Sequence, residues 1–139
     1  MDRRTRAREL AMQALYQLDV QGKHLLRYMN DFFAENSSDD FVRSLALEWT
    51  RGTWDNLSQC DELITDCIIK WRLSRLSPVD KSILRLSVYQ LKQCQDIPPK
   101  VVINEAIELA KKYSTAQSSG FVNGVLDAVL KKLHVETNI

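Results

Sequence analysis

The sequence predicts an all-α protein: a compact helical bundle made of two packed helical subdomains, about residues 1–75 and 76–139. Three observations carry this. Apolar residues recur at three- and four-residue spacing nearly throughout the chain. No segment alternates apolar and polar residues as a half-buried strand would. Four glycines and three prolines among 139 residues leave the helix formers Leu, Ala, Lys, Arg, Gln and Glu dominant in most segments. This length suits one domain with a single core.

The elements follow in order. Ala7, Leu10, Ala11, Ala14, Leu15 and Leu18 form the stripe of a first helix, and Gly22 is its stop. A short helix around Leu25–Ala34 precedes the polar break Glu35-Asn36-Ser37-Ser38. Asp39 or Asp40 can cap the next helix, with Val42, Leu45, Ala46 and Trp49 inward; Gly52 interrupts it or permits close packing. A further helix spans roughly Cys60–Trp71, with Leu63, Ile64, Cys67 and Ile68 inward. Ser77-Pro78-Val79-Asp80 is a helix start: Ser77 caps, Pro78 suits the first position and Asp80 favours the positive end of the dipole. Its inward residues are Val79, Ile83, Leu84, Ser87, Val88 and Leu91. Ile97-Pro98-Pro99 leads into a helix with Ile103, Ala106, Ile107 and Ala110 inward. Ser114–Ser119 reads as a loop, and the last helix carries Val122, Val125, Leu126, Val129 and Leu133. Gly124 within it points to close packing or the approach of a partner.

Composition narrows the function. No apolar run approaches the ~20 residues of a membrane span. The charged N-terminus has no apolar segment behind it, so no secretory signal is expected and the protein is expected to be cytoplasmic. Cys60, Cys67 and Cys94 contain no CxxC pair, and the only histidines, His24 and His134, lie far from them in sequence. Reduced, buried or half-buried thiols are expected rather than a metal site, and no cofactor. The formal net charge is +1, yet the charges segregate. Residues 1–8 hold four arginines against one aspartate, residues 35–66 eight acids against two bases, and residues 70–92 six bases against one acid. Such asymmetry offers a basic face to a polyanion, or merely solvates helix surfaces.

Arg3, Arg4, Arg6 and Arg8 form a ready set of phosphate contacts, or a solvated terminus. With Ala7, Ala11, Ala14 and Leu18 inward, the opposite face carries Arg6, Glu9, Gln13 and Tyr16. There a Tyr ring can stack on a base and a Gln amide can bond a base edge; the other reading lays Tyr16 along a neighbouring helix. Phe121, at the margin of the last helix's stripe, and Asn123, on its polar side, are further candidates. Ser118 and Ser119 can cap this helix, whose first amides can receive a phosphate. Glu105 and Glu108 are paired carboxylates, but no nucleophile, His partner or phosphate loop accompanies them, so helix-surface pairing with Lys100, Lys111 and Lys112 is expected and catalysis is not.

A family resemblance is carried by Ile103-Asn104-Glu105-Ala106-Ile107-Glu108-Leu109-Ala110-Lys111 followed by Phe121-Val122-Asn123-Gly124-Val125-Leu126-Asp127, by the arginine-rich opening with Ala11-Met12-Gln13-Ala14-Leu15-Tyr16, and by Trp71–Leu76 and Val79–Leu91; it is to the NusB family of bacterial transcription antitermination factors. It implies a non-enzymatic protein that pairs with NusE, a small-subunit ribosomal protein, and recognises boxA-type single-stranded RNA. With other Nus factors such a protein acts on RNA polymerase, notably in ribosomal RNA operons. By the same resemblance Arg3, Arg4, Arg6 and Arg8 hold phosphates, Gln13 and Tyr16 contact nucleotides, and the region of Ser118, Phe121 and Asn123 adjoins them. The NusE surface is expected partly around Asp80, Lys81 and Arg85 and partly on the acidic middle region. Two other readings compete: an accessory domain of an RNA methyltransferase, for which no glycine-rich methyl-donor segment is found, and a helical protein-interaction adaptor.

Overall fold

A computed structural model describes the backbone of residues 2–70 and 72–137, with side chains through His134. Among these residues are seven α-helices: α1 (Arg3–Gln21), α2 (Met29–Asn36), α3 (Asp40–Asp55), α4 (Leu57–Cys67), α5 (Pro78–Gln93), α6 (Pro99–Tyr113) and α7 (Ser118–Thr137). Short 3₁₀ turns at Lys23–Tyr28 and Leu73–Arg75 join them, and no strand is present among the described residues. The early helix expected around Leu25–Ala34 is therefore split, its first turns wound as 3₁₀ and only its second half as α2. The stretch expected to run from Cys60 to Trp71 starts earlier and ends at Cys67; Trp71 lies outside the described residues, as do Asn138 and Ile139 at the end of the expected second subdomain.

Side-chain caps mark where α1, α3 and α5 begin. Asp2 Oδ1 accepts from the amides of Arg4 and Thr5 at 2.8 and 3.2 Å, Asp39 Oδ1 from Phe41 at 3.0 Å, and Ser77 Oγ from Asp80 at 3.1 Å. Each such bond satisfies an amide that the helix leaves unpaired and contributes about 1 kcal/mol. Gly22 ends α1 at φ +118°, a conformation L side chains rarely adopt, while its amide closes onto the Leu18 carbonyl at 3.1 Å.

α1 is the central element. Its stripe of Ala7, Leu10, Ala11, Ala14, Leu15 and Leu18 is fully buried between α3 and α5. α5, buried along most of its length, also meets α4, α6 and α7, and α6 and α7 pack against each other. α4 packs chiefly on α5 and only lightly on α3. A core centred on α1 and α5 binds both halves into one hydrophobic cluster; burying each large apolar side chain there contributes roughly 2 kcal/mol. Gly52 serves the close packing: a Cβ in its place would lie 2.1 Å from the Tyr89 hydroxyl, so α3 admits the α5 tyrosine only where it has no side chain. Gly124 does not pack closely, since a Cβ there would meet nothing within 4 Å.

A charged tie crosses the same interface. Arg85 of α5 donates from Nε and Nη2 to both Asp61 oxygens at 2.8 Å, and from Nη1 to Asp19 at 3.1 Å; Lys81 Nζ lies 3.1 Å from the other Asp19 oxygen. One cation thus joins α1, α4 and α5. Burial by itself would depress the Arg85 pKa, but Asp61 and Asp19 outweigh it and hold the charge in place.

Candidate nucleic-acid interface

The four N-terminal arginines meet four different environments. Arg3 makes a bidentate pair with Asp39 at 2.7 and 2.9 Å and lies over the Phe41 ring, 4.3 Å from its centroid. Arg4 is exposed, 5.4 Å from the same ring, and among the described residues no carboxylate lies within ion-pair distance of it. Arg6 pairs with Glu9 on its own helix and reaches the Asn36 carbonyl at 3.1 Å. Arg8 departs from the expectation of a phosphate contact: it is only 3 % exposed, stacked 4.9 Å over Trp49, with Nε bonded to Gln90 Oε1 at 3.3 Å and Nη1 3.6 Å from Glu105. Burial lowers its pKa, with Glu105 opposing. The physical reason is helical phase. Arg8 stands beside Ala7 and Ala11 on the side of α1 that α3 and α6 cover.

Glu9 also departs from its expected outward place. It is 3 % exposed because α6 lies over it. Burial alone would raise its pKa; hydrogen bonds from Lys112, Tyr113 and Arg6 overcome this and hold it below the ordinary carboxylate value. Lys112 Nζ is 2.6 Å from Glu9 Oε2, so α1 and α6 are clasped at this point.

Beside that clasp runs an open groove of about 600 Å³, lined by Gln13, Tyr16, Gln17 and Gln21 of α1, Phe32 and Asn36 of α2, and Tyr113 of α6. Gln13 and Tyr16 are half-buried, and Gln13 Nε2 donates to the Tyr113 hydroxyl at 3.1 Å. Amides and aromatic rings side by side are the equipment for bonding base edges and stacking base faces. A second groove of about 410 Å³ holds Phe121, Ser118, Gln117, Asp80 and Arg75. The two adjoin at the start of α5, where Val79 lines the first and Asp80 the second. The structure thus brings Arg6, Gln13 and Tyr16 together, with Phe121 a groove away. Asn123 is exposed on α7.

Three further candidate residues are already engaged within the protein. Ser118 is buried, and its hydroxyl donates to Asp80 Oδ2 at 3.0 Å while Ser114 donates to Oδ1 at 2.7 Å; it anchors the turn before α7 rather than facing solvent. Arg85 does not form a free partner surface, because Asp61 and Asp19 enclose it. Lys81 is held by Asp19 and only partly exposed. Sequence reasoning missed Tyr113 and Phe32. Tyr113 continues the Ala106–Ala110 stripe by one more turn, a signal open to reading; Phe32 sits in the segment with the weakest pattern.

Cys60 is buried, and burial with the nearby Asp61 pushes its thiol up to about 12; Cys67 and Cys94 are half-buried, and all three are free thiols. Among the described residues no group of three or more His, Cys, Asp or Glu is placed to hold a metal ion, and no helix is long and apolar enough to cross a membrane.

The fold and this face define a class: a small all-helical protein with an amide-and-aromatic groove beside an arginine-bearing helix end. Comparison with known proteins makes the assignment narrower. The NusB family model matches residues 5–131. The transcription antitermination protein NusB of Syntrophus aciditrophicus is 41 % identical over 134 residues, 96 % of this chain and 83 % of that protein, and its counterpart from Anaeromyxobacter dehalogenans 2CP-1 is 46 % identical over 132 residues, 94 % and 92 % of the two chains. The solved structure of T. maritima NusB superposes with a TM-score of 0.85 at 39 % identity, covering 95 % of this chain and 92 % of the other. A crystal structure of the antitermination factors NusB and NusE in complex with dsRNA has a chain that matches with a TM-score of 0.86 at 27 % identity, covering 95 % and 98 %. The chain belongs to the NusB family, and its role is transcription antitermination rather than catalysis.

Proposed function

We propose that the groove between α1, α2 and α6 binds boxA-type single-stranded RNA, and that this chain does so together with NusE in the cytoplasm, supporting transcription of ribosomal RNA operons with other Nus factors and RNA polymerase. The observation that carries the reading is the convergence of Gln13, Tyr16, Phe32 and Tyr113 on one groove beside Arg6. In this reading Tyr16 stacks on a base, Gln13 bonds a base edge, and Arg3, Arg4 and Arg6 meet phosphates along the rim. Phe121 and Asn123 extend the track toward α7, where the bare Gly124 surface leaves room for the RNA or a partner. NusE sits near the start of α5, around Asp80 and Lys81, with Arg85 as the tie beneath. The likeness to a NusB–NusE complex with RNA supports the pairing.

The test is an anisotropy titration of a boxA-type single strand, a scrambled strand and a duplex of the same sequence, with this chain alone and with NusE, across several salt concentrations. Selective binding to the single strand that strengthens with NusE and weakens with salt is expected, with a log–log slope of about −0.7 per phosphate neutralised. Equal affinity for the scrambled strand, with the NusE complex still forming, would leave an adaptor whose groove serves another purpose.

A further inference from the structure

We propose that Asp39 is an intramolecular competitor for RNA phosphate at Arg3: it occupies the edge of the guanidinium that a phosphate would grip, so Arg3 meets the RNA only by giving Asp39 up. The inference rests on the RNA reading above and adds to it the residue that sets how much charge the arginine-rich end of α1 presents.

The geometry is that of a fork closed on an anion. Arg3 donates from Nε to Asp39 Oδ2 at 2.7 Å and from Nη2 to Oδ1 at 2.9 Å. Two parallel N–H bonds to two oxygens are also how a guanidinium grips a phosphate. A phosphate approaching the remaining Nη1 would meet the Asp39 charge beside it. The carboxylate is a fixture of the fold, because Asp39 caps α3 and its Oδ1 accepts the Phe41 amide at 3.0 Å. It therefore stands opposite Arg3 before any RNA arrives. Arg3 is held from a second side as well, 4.3 Å over the centroid of the Phe41 ring. That contact is uncharged, so the ring keeps Arg3 in place when Asp39 lets go. The pair is open to water, 59 % exposed on the arginine side and 36 % on the aspartate side. Exchange for an incoming anion therefore costs little.

Arg4 supplies the internal comparison. It lies 5.4 Å from the same Phe41 ring, so the two arginines share one stretch of surface. Yet among the described residues no carboxylate lies within ion-pair distance of Arg4. Two cations on one surface should count alike toward a polyanion; the difference between them is Asp39. A phosphate that meets Arg4 sheds its condensed counterion. A phosphate that meets Arg3 sheds one too, but frees a carboxylate that collects a cation of its own. Arg3 then adds little to the salt dependence of binding. Asparagine at position 39 removes the charge and retains an oxygen for the α3 cap. The competitor can thus be taken away without taking away the helix start.

The experiment titrates a boxA-type single strand with the chain and NusE at several salt concentrations, for Asp39→Asn, Arg3→Ala, Arg4→Ala and the doubles that join Asp39→Asn to each arginine change. Asp39→Asn should bind about threefold tighter, the worth of an exposed ion pair, with a log–log slope steeper by about 0.7. Arg3→Ala should shift wild-type affinity by less than about twofold, yet cancel the whole gain in the Asp39→Asn background. Arg4→Ala should cost the same in both backgrounds. Asp39→Ser, whose hydroxyl also caps, should repeat the gain, and circular dichroism checks that each variant keeps its helices. A gain that survives Arg3→Ala would come from the loss of negative charge at large and overturn the competition. Unchanged binding in a folded Asp39→Asn would overturn it too, and weaker binding would make Asp39 a support for Arg3 instead. In each of these outcomes the wild type still selects the boxA strand, and the RNA reading stands. A wild type with no preference for that strand over a scrambled one would bring down both.

Discussion

The two ends of α1 carry opposite charge logic. At the N-terminal end, Arg3, Arg4 and Arg6 keep part of their surface in water while borrowing Asp39, Phe41 and Glu9 as supports. At the C-terminal end, Asp19 is a carboxylate that draws Lys81 and Arg85 of α5 inward. One end displays cations and the other absorbs them. A basic residue is available to a polyanion only where the fold leaves part of its side chain in water. Arg8 and Arg85, both attractive as surface contacts in the sequence, fail that condition, and Arg4 meets it best.

Several measurements break or sharpen this contrast. The largest effect should come from Arg85→Ala, which leaves Asp61 and Asp19 facing each other without their shared cation. A loss of about 3 kcal/mol in urea unfolding is expected, and an unchanged midpoint would mean the tie contributes nothing. Tyr16→Ala should spare folding and weaken RNA binding by about 2 kcal/mol if the ring stacks on a base; unaltered affinity in the folded variant would move the RNA away from this groove. Arg4→Ala and Arg8→Ala should separate cleanly. The first lowers the salt slope by about 0.7 with no change in stability, the second lowers stability and leaves the slope alone; equal slopes lost in both would erase the contrast.

The smallest effect concerns acid. The folded state holds Glu9 below its ordinary value of 4.5, so the unfolded chain takes up this proton first as pH falls. The stability Glu9 contributes is complete above about 4.5 and drains away as pH drops through its depressed folded value. Glu9→Gln should flatten that acid limb of the stability curve, measured by urea midpoints at stepped pH. An identical limb in the variant would show that the clasp to Lys112 and Arg6 adds no acid sensitivity.

Much of the fold was legible because helical periodicity is a local property. The α1 stripe, the Ser77-Pro78 start and the Gly22 stop all appear where spacing and capping chemistry put them. The early helix was read only coarsely, since six residues wind as 3₁₀ and the apolar pattern there is thin. Of the candidate interface, Gln13 and Tyr16 were legible from the helical wheel. Glu9 was not, because a wheel shows which side of α1 faces away from its own apolar stripe and says nothing of what α6 lays over that side. That Tyr113 and Phe32 share this groove was not legible either, since they join it from helices remote in sequence.

By itself, then, the sequence determined the all-helical class, the capped starts of α3 and α5, the Gly22 stop of α1, the buried stripe of α1 and the family resemblance through its ordered motifs, since each depends on neighbours within a few turns. Only the tertiary structure decided which charges remain for a partner. Pairing Arg85 with Asp19 and Asp61, closing α6 over Glu9 and turning Arg8 onto Trp49 are contacts between distant segments, and charge availability is set by what stands within a few ångströms in space rather than along the chain.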